Sequence, residues 1–175
     1  MGALYVSRAL VPVTLVTLFF VGLQLSLLST LRVDGVVIML VWLWPFVMGL
    51  TGVTSLAVVS AIIAGLFFDT HTATPFGLTA LVGVALGYAT SRLGREGVGD
   101  LDSAAWWVTP LLAAVGGFVA PALYMTLGFV ELNFTLWRGS VLAMMVVNAV
   151  AFMVLARPIA RVARFVARVG ERGRR

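Results

Sequence analysis

The chain has 175 residues, of which 61% are hydrophobic and only 11% charged, with a mean hydropathy of +1.08. That is far too apolar for an ordinary soluble domain and points to an integral membrane protein. Its 12 basic residues are all arginine, set against seven acids for a formal net charge of +5, a balance suited to an anionic membrane face. Without cysteine, the chain has no disulfide, thiol nucleophile or Cys-bound metal.

A helix needs about 20 apolar residues to cross a hydrocarbon core. Residues 9–31 form one such stretch. It is too long for a signal-peptide core and lacks a small-x-small cleavage pattern, so it reads as a mature helix. Residues 35–68 carry no charge after Asp34 and would make a helix about 50 Å long, against a core of about 30 Å. The stretch is therefore expected to fold back, with a turn in "PFVMGLTG" (Pro45 to Gly52) and with Trp42 and Trp44 at a headgroup interface. Spans over 35–48, 52–68, 76–92, 105–130 and 139–156 complete a six-helix count. Gln24, Tyr124 and Asn148 fall within spans, where interhelical hydrogen bonds are expected. Pro121 is expected to bend the fifth helix. Small residues four apart in "AVVSA" (Ala57–Ala61), "GVALG" (Gly83–Gly87) and "AAVGG" (Ala113–Gly117) suit close helix packing.

Arginine counting gives the orientation. Arg8, Arg92, Arg95 and seven C-terminal arginines fall on one side and Arg32 and Arg138 on the other, which predicts both termini in the cytoplasm. The fold class expected is thus an all-α integral membrane protein: a six-helix transmembrane bundle over 1–156 and a basic tail over 157–175. In that tail Arg157, Arg161, Arg164, Arg168 and Arg172 recur on one face, while Ile159, Val162, Val166 and Val169 cover the other. This predicts an amphipathic helix at the cytoplasmic surface, lying on anionic lipid or docking cytoskeletal or synthase partners. Nucleic acid is not expected as a partner, since no basic domain folds outside the membrane.

The segment "GLFFDTHTATPFGLTAL" (Gly65–Leu81) places Asp69 and the single histidine, His71, in an outward loop between the third and fourth spans. Thr74 and Pro75 resemble a helix start, as N-cap and first helical position. A carboxylate at the edge of hydrocarbon is costly unless it is hydrogen-bonded. Its expected donors are the Thr70–Thr72 amides, the threonine hydroxyls and Arg32 or Arg138, so that Asp69 clasps the loop to the start of the fourth helix. His71 reads either as a wet surface residue or as a functional group. No HExxH, Ser/His/Asp set or phosphate loop is present, "GREGVGD" (Gly94–Asp100) lacking the Lys of a P-loop. No catalytic, cofactor or metal residue is assigned, and the protein is expected not to be an enzyme.

"AIIAGLFFDTHTATPFGLTALVGVALGY" (Ala61–Tyr88) resembles the signature of the rod shape-determining MreD family, through Gly65, Asp69, Gly77, Leu78, Ala80, Leu81, Gly87 and Tyr88. Gln24 and "RVDGVVIMLVW" (Arg32–Trp42) are similar to a second feature of that family, with Val33 where proline is usual and His71 where the loop is usually small or apolar. The resemblance implies a non-enzymatic scaffold of the bacterial cell-elongation machinery in the inner membrane. It implies MreC as first partner, with links to MreB, the RodA glycosyltransferase and a class B penicillin-binding transpeptidase. Together with Gly83 of the small-residue motif and Asn148 of the sixth span, the matching Gly65, Gly77, Gly87, Asp69 and Gln24 are the expected structural and assembly residues. The architecture also resembles the S-components of energy-coupling-factor vitamin transporters. On that alternative Asp34, Asp69, His71, Glu131 and Asn133 would contact a small molecule, although the first span lacks an Ala-x-x-x-Ala coupling motif.

Overall fold

A computed structural model describes residues 2–28, 32–33, 36–71, 75–96, 101–127 and 134–171. The described chain is helical apart from one two-residue antiparallel ladder. Helix α1 (Gly2–Leu23) widens at its end into a π-helical turn (Gln24–Leu28), and strands β1 (Arg32–Val33) and β2 (Val36–Val37) pair in a hairpin. There follow α2 (Leu40–Leu50), α3 (Thr54–Asp69), α4 (Leu78–Arg95), α5 (Leu101–Thr126) and α6 (Phe134–Glu171). Two segments, Ala9–Ser26 and Val141–Arg168, lie in helices long and apolar enough to cross a membrane.

The fold is organised around α2. All 11 of its residues are buried, and it touches α1, α3, α4, α5 and α6. A helix that is apolar all round is one enclosed by other apolar surface, and here that surface is protein. At about 17 Å, α2 is shorter than a bilayer core. Trp42 and Trp44, expected at a headgroup interface, are instead core residues. Trp44 stacks on Phe20 at 5.4 Å between ring centroids. Its indole Nε1 donates to Thr17 Oγ1 at 2.9 Å, and the Thr17 hydroxyl donates to the Val13 carbonyl of its own helix.

The chain reverses at Thr51–Val53, the far end of the stretch expected to turn. Gly52 takes the left-handed conformation (φ 81°) that glycine adopts without steric cost. Pro45 sits inside α2 rather than in the turn. It has no N–H to offer Val41, a loss tolerated in a helix held from every side. Gly49, also placed in the turn by the sequence, lies in α2, where a side chain would collide with Thr90 and Gly87 of α4.

The outer surface is also apolar. Val11, Leu15 and Phe19 on α1, Leu111, Val115 and Phe118 on α5, and Leu142, Val146, Val150 and Val154 on α6 are exposed large hydrophobics at helical spacing. A water-soluble bundle would carry polar residues on those faces.

Residues 157–171 do not form a separate tail. They continue α6, which runs unbroken for 38 residues through Pro158. The apolar side of this extension is occupied by protein: Ile159, Ala160, Ala163 and Val166 are buried in the main hydrophobic core. The expected surface helix with its apolar face on lipid is therefore corrected, because that face packs inward. Val162 is exposed rather than buried, and the side chain of Val169 lies outside the described residues.

Candidate functional site

The residues singled out by the sequence motif converge on the α3–α4 hairpin. Ala57, Ala61, Gly65 and Asp69 are four apart and form one stripe along α3. Opposite them, in antiparallel order, stand Gly87, Gly83, Ala80 and the start of α4. A side chain at Gly65 would run into the backbone of Ala80. At Gly83 an added Cβ would meet the Ala61 Cβ at 3.5 Å, and at Gly87 the Ala57 carbonyl at 3.7 Å. The helices thus touch backbone to backbone at the Asp69 end and open by about a methyl group further along. This small-residue packing reaches α5 as well, where Gly116 lies against the Trp42 ring and Gly117 against Met145.

Asp69 closes the stripe. Its Oδ2 accepts from the amides of Gly77 at 2.8 Å and Thr79 at 3.2 Å, and only 4% of the residue is exposed. Helix α4 begins with Gly77 in the N-cap position at φ 91°, offering no side-chain cap of its own. The carboxylate of the preceding helix supplies that cap instead. Position alone would disfavour it, since a carboxylate at a helix C-terminus opposes the dipole of α3 by roughly 0.3–1 kcal/mol. Hydrogen bonds to a charged group contribute about 1.5–3 kcal/mol each, so the two amides of α4 outweigh the dipole of α3.

The Thr70 and His71 amides, expected as donors, bond instead to the Leu66 and Phe68 carbonyls of α3, and the two α4 amides that Asp69 does meet were not among the expected donors. The Thr70 hydroxyl turns back to the Phe67 carbonyl at 2.7 Å. Thr72, Thr74, Asp34, Glu131 and Asn133 lie outside the described residues, as do the side chains of Arg32 and Arg138. The expected start of α4 at Pro75 is also corrected: Pro75 and Phe76 lead into the helix, which opens at Leu78. His71 is exposed, with Nδ1 at 2.9 Å from the Phe67 carbonyl and 2.8 Å from Thr70 Oγ1. It belongs to the end of α3 and has no part in the clasp.

The two interior amides behave differently. Asn148 of α6 accepts from the Met39 amide at 2.7 Å and donates to the Met144 carbonyl at 2.9 Å. It ties the residue that opens α2 to α6, an interhelical bond of the kind expected. Gln24, in the π-helical turn, is buried, yet neither its Oε1 nor its Nε2 meets a partner, contrary to the expected hydrogen bond. The side chain of Tyr124 lies outside the described residues, as does that of Pro121.

Arg92 and Arg95 of α4 and Arg157, Arg161, Arg164 and Arg168 of α6 lie toward the end of the hairpin opposite Asp69. Arg95 donates to Thr54 at the start of α3, and Gly94 packs on the Leu50 carbonyl beside the α2–α3 turn. A short connection leads to α5, where Trp106 lies beneath Arg157 of α6, its ring centroid 5.6 Å from the guanidinium carbon. Arg157, Arg161 and Arg168 are exposed and Arg164 is half-buried. Sequence reasoning missed Trp106 as a partner for this stripe, although two adjacent tryptophans just inside a predicted span are a recognisable interface signal. Among the described residues no three His, Cys, Asp or Glu side chains gather into a metal-binding group. Comparisons with protein-family models, curated proteins and solved structures gave no match for this chain.

Proposed function

We propose that this protein is a six-span scaffold of the bacterial inner membrane, with both termini cytoplasmic. On this reading it acts within the cell-elongation machinery through helix contacts with an MreC-type single-span partner, and does no chemistry itself. The observation that carries the reading is the packing of four motif residues at one corner, while Leu81 and Tyr88 of the same motif face outward. Gly65, Asp69, Gly77 and Ala80 each have a packing or capping role at the α3–α4 junction. The Asp69 oxygen that meets the α4 amides is engaged in structure, which favours a scaffold over the S-component alternative. The apolar exterior and the collection of arginines at one end support membrane embedding with that end cytoplasmic.

The test is affinity purification from native bacterial membranes, with mass spectrometry of what comes along. A scaffold brings down an MreC-type partner, and Asp69→Ala lowers its recovery several-fold while membrane insertion is kept. A copurifying small molecule with no protein partner would overturn the reading in favour of a transporter component.

A further inference from the structure

Helix α6 carries a chemical boundary on one unbroken face. At about 100° per residue, Val146, Val150 and Val154 and then Arg157, Arg161 and Arg168 fall within a single arc of about 80°. All six are exposed. Within one turn, about 5 Å of rise, this outward face changes from aliphatic to guanidinium. Trp106 of α5 sits at the changeover, under Arg157, and its neighbour Trp107 is also exposed. Beside the arginines runs an exposed apolar edge of Pro158, Val162 and Phe165, the last 66% exposed.

From this juxtaposition we infer that Arg157 and Arg161, braced by Trp106, form a binding site for the phosphodiester of an anionic phospholipid in the leaflet where α6 ends. The inference rests on the membrane-spanning reading proposed above. The occupant is fixed by continuity. The row Val146–Val150–Val154 faces acyl chains in any membrane-spanning placement, so the arginines one turn later on that row face the headgroups of the same lipids. Guanidinium matches phosphate oxygens with paired N–H groups. A tryptophan ring at the headgroup level holds such a cation in place while meeting apolar chain on its other side. The lateral row of Val162 and Phe165 gives the first carbons of that lipid an apolar neighbour.

The test uses the full-length protein in detergent, with phosphatidylglycerol and phosphatidylcholine offered together and retained lipid counted by native mass spectrometry. Wild type retains phosphatidylglycerol preferentially. Arg157→Gln lowers that preference about 5-fold and the Arg157→Gln/Arg161→Gln pair about 25-fold, whereas the double lysine substitution keeps most of it. Trp106→Leu, which leaves every charge in place, lowers it about 2-fold to 5-fold. Arg92→Gln at the end of α4 removes the same charge from elsewhere and changes it less than 2-fold. An equal loss with Arg92→Gln, or undiminished preference in the Gln pair, would overturn the site, and displacement of the lipid by millimolar inorganic phosphate would overturn the lipid as its occupant. Carbonate extraction of native membranes separates the two levels. Release of the protein by carbonate refutes the membrane-spanning reading itself, while retention with no phosphatidylglycerol preference refutes only the lipid site.

Discussion

At the scale of single residues, Asp69 and Gly65 divide the work at one helix junction. Asp69→Ala leaves the Gly77 and Thr79 amides without their shared acceptor and should cost about 2–4 kcal/mol, read as a lowered Tm in detergent. Asp69→Asn, which keeps an acceptor and loses the charge, should cost about half as much. A Tm for Asp69→Ala equal to that of wild type would mean that the cap contributes nothing. The glycines give a sharper contrast, because similar substitutions carry opposite signs. Gly65→Ala pushes a methyl group into the backbone of Ala80 and should destabilise by about 1–3 kcal/mol. Gly83→Ala and Gly87→Ala meet neighbours at ordinary contact distance and should be neutral or stabilising by up to about 1 kcal/mol, since alanine is the better helix former. Destabilisation by all three alike would refute the graded separation of α3 and α4.

At the scale of elements, what was legible in the sequence follows from what periodicity can encode. The α3–α4 seam was legible because small residues four apart make a face, and a face needs a partner. The identity of Asp69 as a clasp was legible from the cost of an edge carboxylate. The two α4 amides that it meets were not, because the sequence does not show that α4 would begin at a left-handed Gly77 three residues after Thr74. Helix α2 was misplaced for a deeper reason: an all-apolar helix reads the same whether lipid or protein surrounds it, and only the fold shows that Trp42 and Trp44 are enclosed. The tail has the same ambiguity, since Ile159 and Val166 were correctly put on one face while the neighbour that covers that face lies elsewhere in the chain. The enclosure of α2 can be tested with single cysteines and a lipid-soluble thiol reagent. Val150→Cys on α6 and Leu15→Cys on α1 should react, and Val47→Cys on α2 should react at least tenfold more slowly. Comparable labelling at Val47 would mean that lipid reaches α2.

At the scale of the whole molecule, the arginine-rich end and the Asp69 end define an axis, and the proposed topology assigns a side to each. Because the native chain has no cysteine, the background for labelling is clean. Thr72→Cys and Phe134→Cys should react with an impermeant maleimide on intact spheroplasts, and Gly97→Cys and Gly173→Cys only after permeabilisation. Labelling of Thr72→Cys from the cytoplasmic side alone, with Gly173→Cys also inside, would rule out the six-span topology. The length of α6 adds to this picture, since 38 residues rise about 57 Å, well beyond a hydrocarbon core of about 30 Å. On the proposed membrane-spanning reading this helix reaches past the hydrocarbon to the boundary the arginines mark, while Phe152, Ala156, Ile159, Ala160, Ala163 and Val166 keep its inner side in the core.

The cap that Asp69 lends to α4 also imposes an order on biogenesis. While α3 has left the ribosome and α4 has not, the Gly77 and Thr79 amides that meet the carboxylate are missing, and α4 in turn lacks the carboxylate that caps it. These two bonds form only when the helices are side by side, so on the proposed membrane-spanning reading the hairpin, rather than either helix, is the favourable unit of entry from the translocon into lipid. A nascent chain arrested after Phe68 or Asp69 should accordingly remain beside the insertion machinery, and one extended through Arg95 should pass into the bilayer as a closed pair.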